Sequence, residues 1–149
     1  MNDNGRKICN NCFRQIKTEP CKYCGYKKSA YRPEAGILPV GTVLKKRYCI
    51  GEVLGKGGFG VTYKAFDTVD SKIVAVKEYY PSGLVHRDTG TTQISVSSKQ
   101  YEDNFKVGAD KFFEEAKMVS RFNGNPNIVN VYEFFYENGT VYLDRKSVV

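Results

Sequence analysis

Four of the five cysteines fall close together, as Cys9, Cys12, Cys21 and Cys24 in "CNNCFRQIKTEPCKYC". The spacing is C-x2-C-x8-C-x2-C. Two such knuckles present four thiolates, which suits tetrahedral Zn²⁺, and a closed set of four protein ligands leaves no open position for chemistry, so a metal here is structural. A disulfide pair or a thioredoxin-like redox motif are the alternatives. A reducing compartment disfavours the first, and no βαβ pattern surrounds the cysteines to support the second. The short central gap confines the module to a very small ribbon that draws most of its folding energy from the metal. Cys49, in "RYCIGEVL", alternates with apolar neighbours and reads as an ordinary buried strand residue.

A second chemical signal is "LGKGGFGVTY", where Gly55, Gly57 and Gly60 have the G-x-G-x-x-G spacing. Alone it is weak, because dinucleotide-binding folds share it. In those folds the turn leads into a helix, whereas here "VTYKAF" follows, β-branched and aromatic, so the glycines join two strands. A Walker A loop is excluded, since no Gly-Lys-Ser/Thr follows at the required spacing. A glycine hairpin lets backbone lie close over phosphate oxygens without side-chain obstruction.

The elements that must position these residues are legible from Tyr48 onward. "YCIGEVL", "GVTYKAF" and "KIVAVKEYY" read as strands of an antiparallel meander, separated by glycines or by the polar turn "DTVDS". Residues 106–122 place Ala109, Phe112, Phe113, Ala116, Val119 and Phe122 at spacings of three and four, one apolar face of a helix stopped by "NGNPN". "IVNVYEFFYE" and "TVYL" then flank Asn138-Gly139, a dipeptide favoured in type I′ hairpin turns. Between Cys24 and Tyr48, "GYKKSAYRPEAGILPVGT" carries Pro33, Pro39, Gly36 and Gly41 with little periodicity, as a linker does.

With these motifs in order, residues 42–143 resemble the amino-terminal lobe, and only that lobe, of the bacterial-type protein serine/threonine kinases. The resemblance implies an α+β fold, a five-stranded antiparallel sheet plus one helix, with the carboxy-terminal lobe lacking from this chain. Together with the cysteine spacing, the unperiodic stretch after it and the charged ending, this divides the chain into a zinc-ribbon-like module at 1–27, a linker at 28–47, the kinase lobe at 48–143 and a tail at 144–149 expected to be foreign to the fold. In that family a lysine of a V-A-I-K motif grips the α- and β-phosphates of ATP. "VAVK" supplies Lys77. The family's lysine pairs with a glutamate on the following helix, and "FFEEAKMV" offers Glu115, with Glu114 as the other register. The bland alternatives are a solvated strand lysine and a surface acid paired along the helix with Lys111.

As the resemblance implies, Gly55, Lys56, Gly57, Gly58, Phe59 and Gly60 cover the phosphates, and Leu54, Thr62 and Ala75 wall the adenine. Thr62 stands where most kinases have valine, nearly isosteric but more polar. The Mg²⁺ ligands belong to the missing lobe. "KEYYPSGL" looks like an insert found in a subgroup of bacterial kinases that often carry zinc ribbons, and it lengthens the path from Lys77 to the helix.

His86-Arg87-Asp88 has the letters of the kinase catalytic loop but follows Lys77 too closely, within that insert. Gln93 stands where that loop has its asparagine, and no Asp-Phe-Gly occurs in the sequence. It reads as a polar turn. At the other end, Asp144-Arg145-Lys146 is expected to interrupt the fifth strand, as a truncated or frameshifted reading frame would.

The expected function is therefore the ATP-binding part of a protein serine/threonine kinase, inactive alone because the base and the metal ligands are lacking. The alternative is a non-catalytic binding module, in which the ribbon recruits a protein or nucleic acid and the half-lobe is vestigial. Charge bears on this choice: residues 1–50 hold 11 Lys/Arg against 3 Asp/Glu, within a chain of net charge +7. Such a basic third suits nucleic acid or an acidic surface, or a solvated linker. With no apolar run of the roughly 20 residues that cross a bilayer, and no apolar core in "MNDNGRK", a cytoplasmic location without membrane segment is expected.

Overall fold

A computed structural model describes residues 7–31, 34–120 and 131–146. The chain opens with a two-strand ribbon, β1 (Lys7–Ile8) and β2 (Gln15–Ile16). There follow β3 (Val43–Leu44), β4 (Tyr48–Lys56), β5 (Gly60–Asp67) and β6 (Lys72–Tyr79). The insert contributes a small hairpin, β7 (Val85–His86) and β8 (Ser95–Val96), before helix α1 (Glu102–Ser120) and the last hairpin, β9 (Val131–Glu137) and β10 (Thr140–Lys146).

The main sheet has the order β3-β4-β5-β6-β10-β9, antiparallel throughout. It holds six strands where five are expected. The additional edge strand comes out of the stretch read as a linker, and the reason is burial: Ile37, Leu38 and Leu44 are packed into the core. Their apolar side chains are worth roughly 1.5 to 3 kcal/mol each when removed from water, enough to hold this segment on the sheet.

Period-two alternation gives the sheet two working faces. On one, Val61, Tyr63, Ala65, Val74, Val76 and Tyr142 form the main core with the 37–44 segment and the insert. On the other, Tyr79, Val141 and Leu143 pack against Phe112 of α1. Helix α1 begins four residues earlier than its apolar periodicity suggests, with Glu102 and Asp103 in the first turn, where acidic groups favour the helix dipole. Phe122 and the stretch Pro126-Asn127-Ile128-Val129 lie outside the described residues.

Asn138 and Gly139 both have positive φ, 55° and 77°, as a type I′ turn requires. The strand that follows is not interrupted at Asp144. Its ladder with β6 runs on through Asp144↔Val76, Arg145↔Ala75 and Lys146↔Val74. Asp144 is tolerated there because Tyr48 Oη lies 2.7 Å from its Oδ2 beneath the sheet.

Candidate nucleotide site and metal centre

Strands β4 and β5 meet at the glycine hairpin, closed by a bond from Gly57 N to Gly60 O of 2.9 Å. The glycines have two different warrants. A Cβ on Gly60 would lie 2.8 Å from Glu78 O, so close packing of the hairpin on β6 demands glycine there. Around Gly55, Gly57 and Gly58 a Cβ would meet nothing within 4 Å among the described residues, and none of the three has positive φ. The protein's own packing does not require glycine at these positions. An approaching ligand would, and this open surface suits phosphate oxygens set against bare backbone.

Lys77 lies directly opposite Thr62 on β5 and opposite Leu143 on β10, so it belongs to the face that packs on α1. Ala75, buried, lies two residues away on that face; Thr62 is half-buried and Leu54 exposed. Phe59 is 77% exposed at the hairpin tip, and Lys56 pairs with Glu34 at 3.1 Å. Lys77 and Glu115 line one cavity of about 450 Å³ between the glycine hairpin, the insert and α1, with Phe59, Leu84 and Phe112. They are brought together but not joined. Among the described residues no carboxylate lies within 4 Å of Lys77, whose Nζ stands 5.8 Å from the centre of the Phe112 ring. Glu114 instead meets Lys117 at 3.8 Å on the exposed side of the helix.

Sequence reasoning overlooked the acid beside Lys77. Glu78 points to the opposite face, fully buried, where the Arg87 guanidinium grips it in a fork of 2.5 and 3.1 Å. Tyr142 Oη donates to Glu78 at 2.6 Å. Arg87 further donates to Gly36 O at 2.7 Å and Thr92 O at 3.0 Å. The arginine of the His-Arg-Asp triplet is thus a structural pin, not part of a catalytic loop. A glutamate next to Lys77 in the otherwise apolar stretch from Val74 to Tyr80 was the available signal, since a buried acid needs a partner.

At the other end, the Sγ atoms of Cys9, Cys12, Cys21 and Cys24 all lie within 4.8 Å of one another. Cys9–Cys24 and Cys12–Cys21 are 3.6 and 3.7 Å apart, close to the roughly 3.8 Å edge of a tetrahedron with 2.3 Å metal–sulfur bonds. The two knuckles repeat the same three bonds. The N–H two residues on, of Asn11 or Tyr23, meets the first sulfur at 3.4 Å. Phe13 N donates to Cys9 O as Gly25 N does to Cys21 O, and Cys9 N donates to Arg14 O as Cys21 N does to Tyr26 O. The Asn11 amide and the backbone N–H of Tyr26 draw the Cys24 thiol down to about 6, favouring the thiolate a metal needs, while burial pushes Cys12 up to about 12. A structural zinc fits this donor set.

The module is docked on the lobe. Phe13 stacks on Phe66 of β5 at 5.6 Å, and Lys64 Nζ reaches Asn11 Oδ1 at 3.3 Å. A Cβ on Gly51 would lie 2.4 Å from Asn10 O, so the knuckle rests directly on β4.

A glycine hairpin, a strand lysine beneath it and one helix carried on an antiparallel sheet define the amino-terminal lobe of a protein-kinase fold. The comparisons agree, although no protein-family model matches the chain. It is 38% identical over 109 residues to a protein described as a probable serine/threonine-protein kinase of Clostridium acetobutylicum, a match covering 73% of this chain and 14% of that protein. Serine/threonine-protein kinase PLK2 of Mus musculus is 44% identical over 111 residues, 74% of this chain and 13% of its own length. A solved structure described as the apo form of PpkA-294 superimposes with a TM-score of 0.71 and 32% identity, over 76% of this chain and 39% of that one. The chain is thus a relative of the serine/threonine protein kinases that spans a small part of the length of those it matches. No helix among the described residues is long and apolar enough to cross a membrane.

Proposed function

We propose that this chain is the ATP-binding part of a protein serine/threonine kinase, with a structural zinc ribbon docked on its lobe. The observation that carries the reading is the set of unobstructed glycines at 55, 57 and 58 in the hairpin whose Gly60 lies against Lys77, on the sheet face the lysine shares with Thr62 and Ala75. The glycine backbone covers the phosphates of MgATP, Lys77 binds the α- and β-phosphates, and Leu54, Thr62 and Ala75 contact the adenine. Glu115, across the same cavity from Lys77, is the acid that holds the lysine when the two close. The full kinase transfers the γ-phosphoryl group to a protein hydroxyl, using a base and Mg²⁺ ligands that this sequence does not contain.

Titration with MgATP, followed by calorimetry or a fluorescent analogue, tests the reading. We expect saturable binding that Lys77→Met weakens at least roughly tenfold, the worth of a charge-assisted contact to phosphate. Binding indifferent to Lys77→Met would overturn it. The purified chain should transfer no phosphate to a generic protein substrate, and turnover abolished by Lys77→Met would contradict that.

A further inference from the structure

The insert that separates Lys77 from α1 touches the glycine hairpin directly. The last registered pair of the β5–β6 ladder is Gly60↔Tyr79, yet the bonding continues beyond it. Tyr80 N donates to Phe59 O at 3.0 Å and Ser82 N donates to Gly58 O at 2.9 Å. Two carbonyls at the tip of a loop built from glycines, with no side-chain packing of their own, are therefore held by amides of the insert.

The insert is itself anchored at a distance from the tip. Arg87 binds Glu78 through both carboxylate oxygens, spans to Gly36 O and Thr92 O, and stands 5.6 Å from the centre of the buried Tyr80 ring. Gly36 packs on the hydroxyl end of that ring, since a Cβ there would lie 2.5 Å from Tyr80 Oη. A bond from Ser97 N to Leu84 O, 2.8 Å, and the Val85↔Val96 ladder hold the intervening residues.

We propose that the insert is a brace for the glycine hairpin: the Tyr80 and Ser82 amides are positioning groups for the phosphate-covering backbone, and Arg87 is the anchor that keeps them in place. This rests on the nucleotide-binding reading above and adds to it a means of pre-ordering the loop. A glycine hairpin free in solution loses much conformational freedom when it closes on phosphate, and fixing two of its carbonyls beforehand reduces that loss.

Local geometry supplies a clean test. Leu84 N donates to Pro81 O at 3.1 Å and Gly83 has φ of 86°, so residues 81–84 form a type II turn with Ser82 at its second position. Proline is favoured at that position. Ser82→Pro therefore preserves the turn while deleting the N–H that holds Gly58, and Ser82→Ala removes the side chain but keeps the amide.

We expect Ser82→Pro to weaken MgATP binding roughly 3- to 10-fold, the range one neutral hydrogen bond spans, while adenosine affinity and Ser82→Ala remain as in the parent. Amide exchange at Gly57 and Tyr80 should quicken in Ser82→Pro. Equal MgATP affinity and equal exchange in Ser82→Pro and the parent would overturn the brace; equal loss of ATP and adenosine affinity would overturn it as well, by marking general damage. Lys77→Met separates the two claims: if it abolishes MgATP binding and Ser82→Pro does nothing, the brace fails and the nucleotide site stands. If Lys77→Met has no effect while exchange still quickens in Ser82→Pro, the site reading fails and the physical brace survives. Arg87→Lys keeps the charge but gives up the fork, and should also quicken exchange at Tyr80. A lowered melting temperature with Tyr80 exchange unchanged would reduce Arg87 to a core ion pair and overturn its role as anchor.

Discussion

Phe13 occupies the position that Gly25 holds in the second knuckle, and both have positive φ, 62° and 80°. A bulky residue in that region costs on the order of 1 kcal/mol, so another contact must offset it. The ring does so by stacking on Phe66 and lying against Gly51. We expect Phe13→Ala to destabilise the chain by about 3 kcal/mol in denaturant titration, because it keeps the backbone cost and loses the ring. Phe13→Gly should be milder than Phe13→Ala, and the reverse order would show that the backbone strain is unimportant.

Asp144 offers a pH signature. Tyr48 Oη has one proton but lies 2.7 Å from Asp144 Oδ2 and 2.8 Å from Glu133 Oε2, and Asp144 Oδ1 is buried with no partner among the described residues. A proton on Asp144 resolves the conflict, since the acid donates to Tyr48 and Tyr48 to Glu133. Burial pushes the Asp144 carboxyl up to about 6, with nearby Asp67 adding to the rise and the Tyr48 hydroxyl and Arg47 opposing it. The folded state then holds a proton that the unfolded chain, with a carboxyl near 3.9, releases across most of that window. This contribution favours folding at low pH and is lost as pH rises through about 6. Asp144→Asn, which keeps a donor for Tyr48, should raise the melting temperature at pH 7 and converge with the parent near pH 4. Asp67 runs the other way, because Arg47 holds its carboxyl below the usual range and the Arg47–Asp67 pair weakens as acid protonates it. A gap between Asp144→Asn and the parent that is constant with pH would show that the Asp144 carboxyl does not titrate in this window.

Helix α1 shows how the packing of an element selects a residue against its intrinsic preference. Gly108 lies inside the helix, where alanine would be favoured by about 1 kcal/mol. A Cβ there would lie 2.0 Å from Tyr79 Oη and 2.9 Å from its Cζ. Tyr79 cannot swing aside: it is buried, wedged against Phe105 and Phe112, and its hydroxyl donates to Phe105 O at 3.1 Å. Overpacking of this kind costs roughly 1 to 3 kcal/mol and outweighs the propensity gain in most of that range. Gly108→Ala should therefore lower stability, and adding Tyr79→Phe should recover part of the loss. Additive effects in that double-mutant cycle would refute the steric account.

The same helix marks what the sequence could and could not convey. Its apolar repeat at Ala109, Phe112 and Phe113 was visible because period 3.6 survives any neighbour. The pairing of β5 with β6 was visible because β-branched runs flank a polar turn. The Arg87–Glu78 pin was hidden, since an ion pair joining a strand to a loop leaves no periodic trace and its arginine sits in a polar triplet. The burial of Ile37, Leu38 and Leu44 was hidden for a similar reason: among prolines and glycines, three apolar residues have no period to betray a face.

Taken as one body, the molecule joins its two candidate sites through the sheet. The knuckle bearing Cys9 and Cys12 presents Asn10, Asn11 and Phe13 to β4 and β5, and the residues it meets there, Lys64 and Phe66, alternate along the same strand with Thr62. A zinc ion bound by the four cysteines would supply most of the folding energy of so small a ribbon. Losing the metal should then uncover Phe66 and remove support from the strand that carries one wall of the proposed adenine site. We expect chelation to lower the melting temperature of the whole described lobe, in a single transition, by an amount set at about 2 to 4 °C per kcal/mol for a chain near this size. Phe13→Ala supplies the control, because cutting the stack uncouples the ribbon from β5. In that variant chelation should unfold the ribbon while moving the lobe's transition much less. A lobe transition indifferent to chelation in the parent would show that the ribbon rests on the sheet without stabilising it, and the docking contacts would then contribute little beyond proximity.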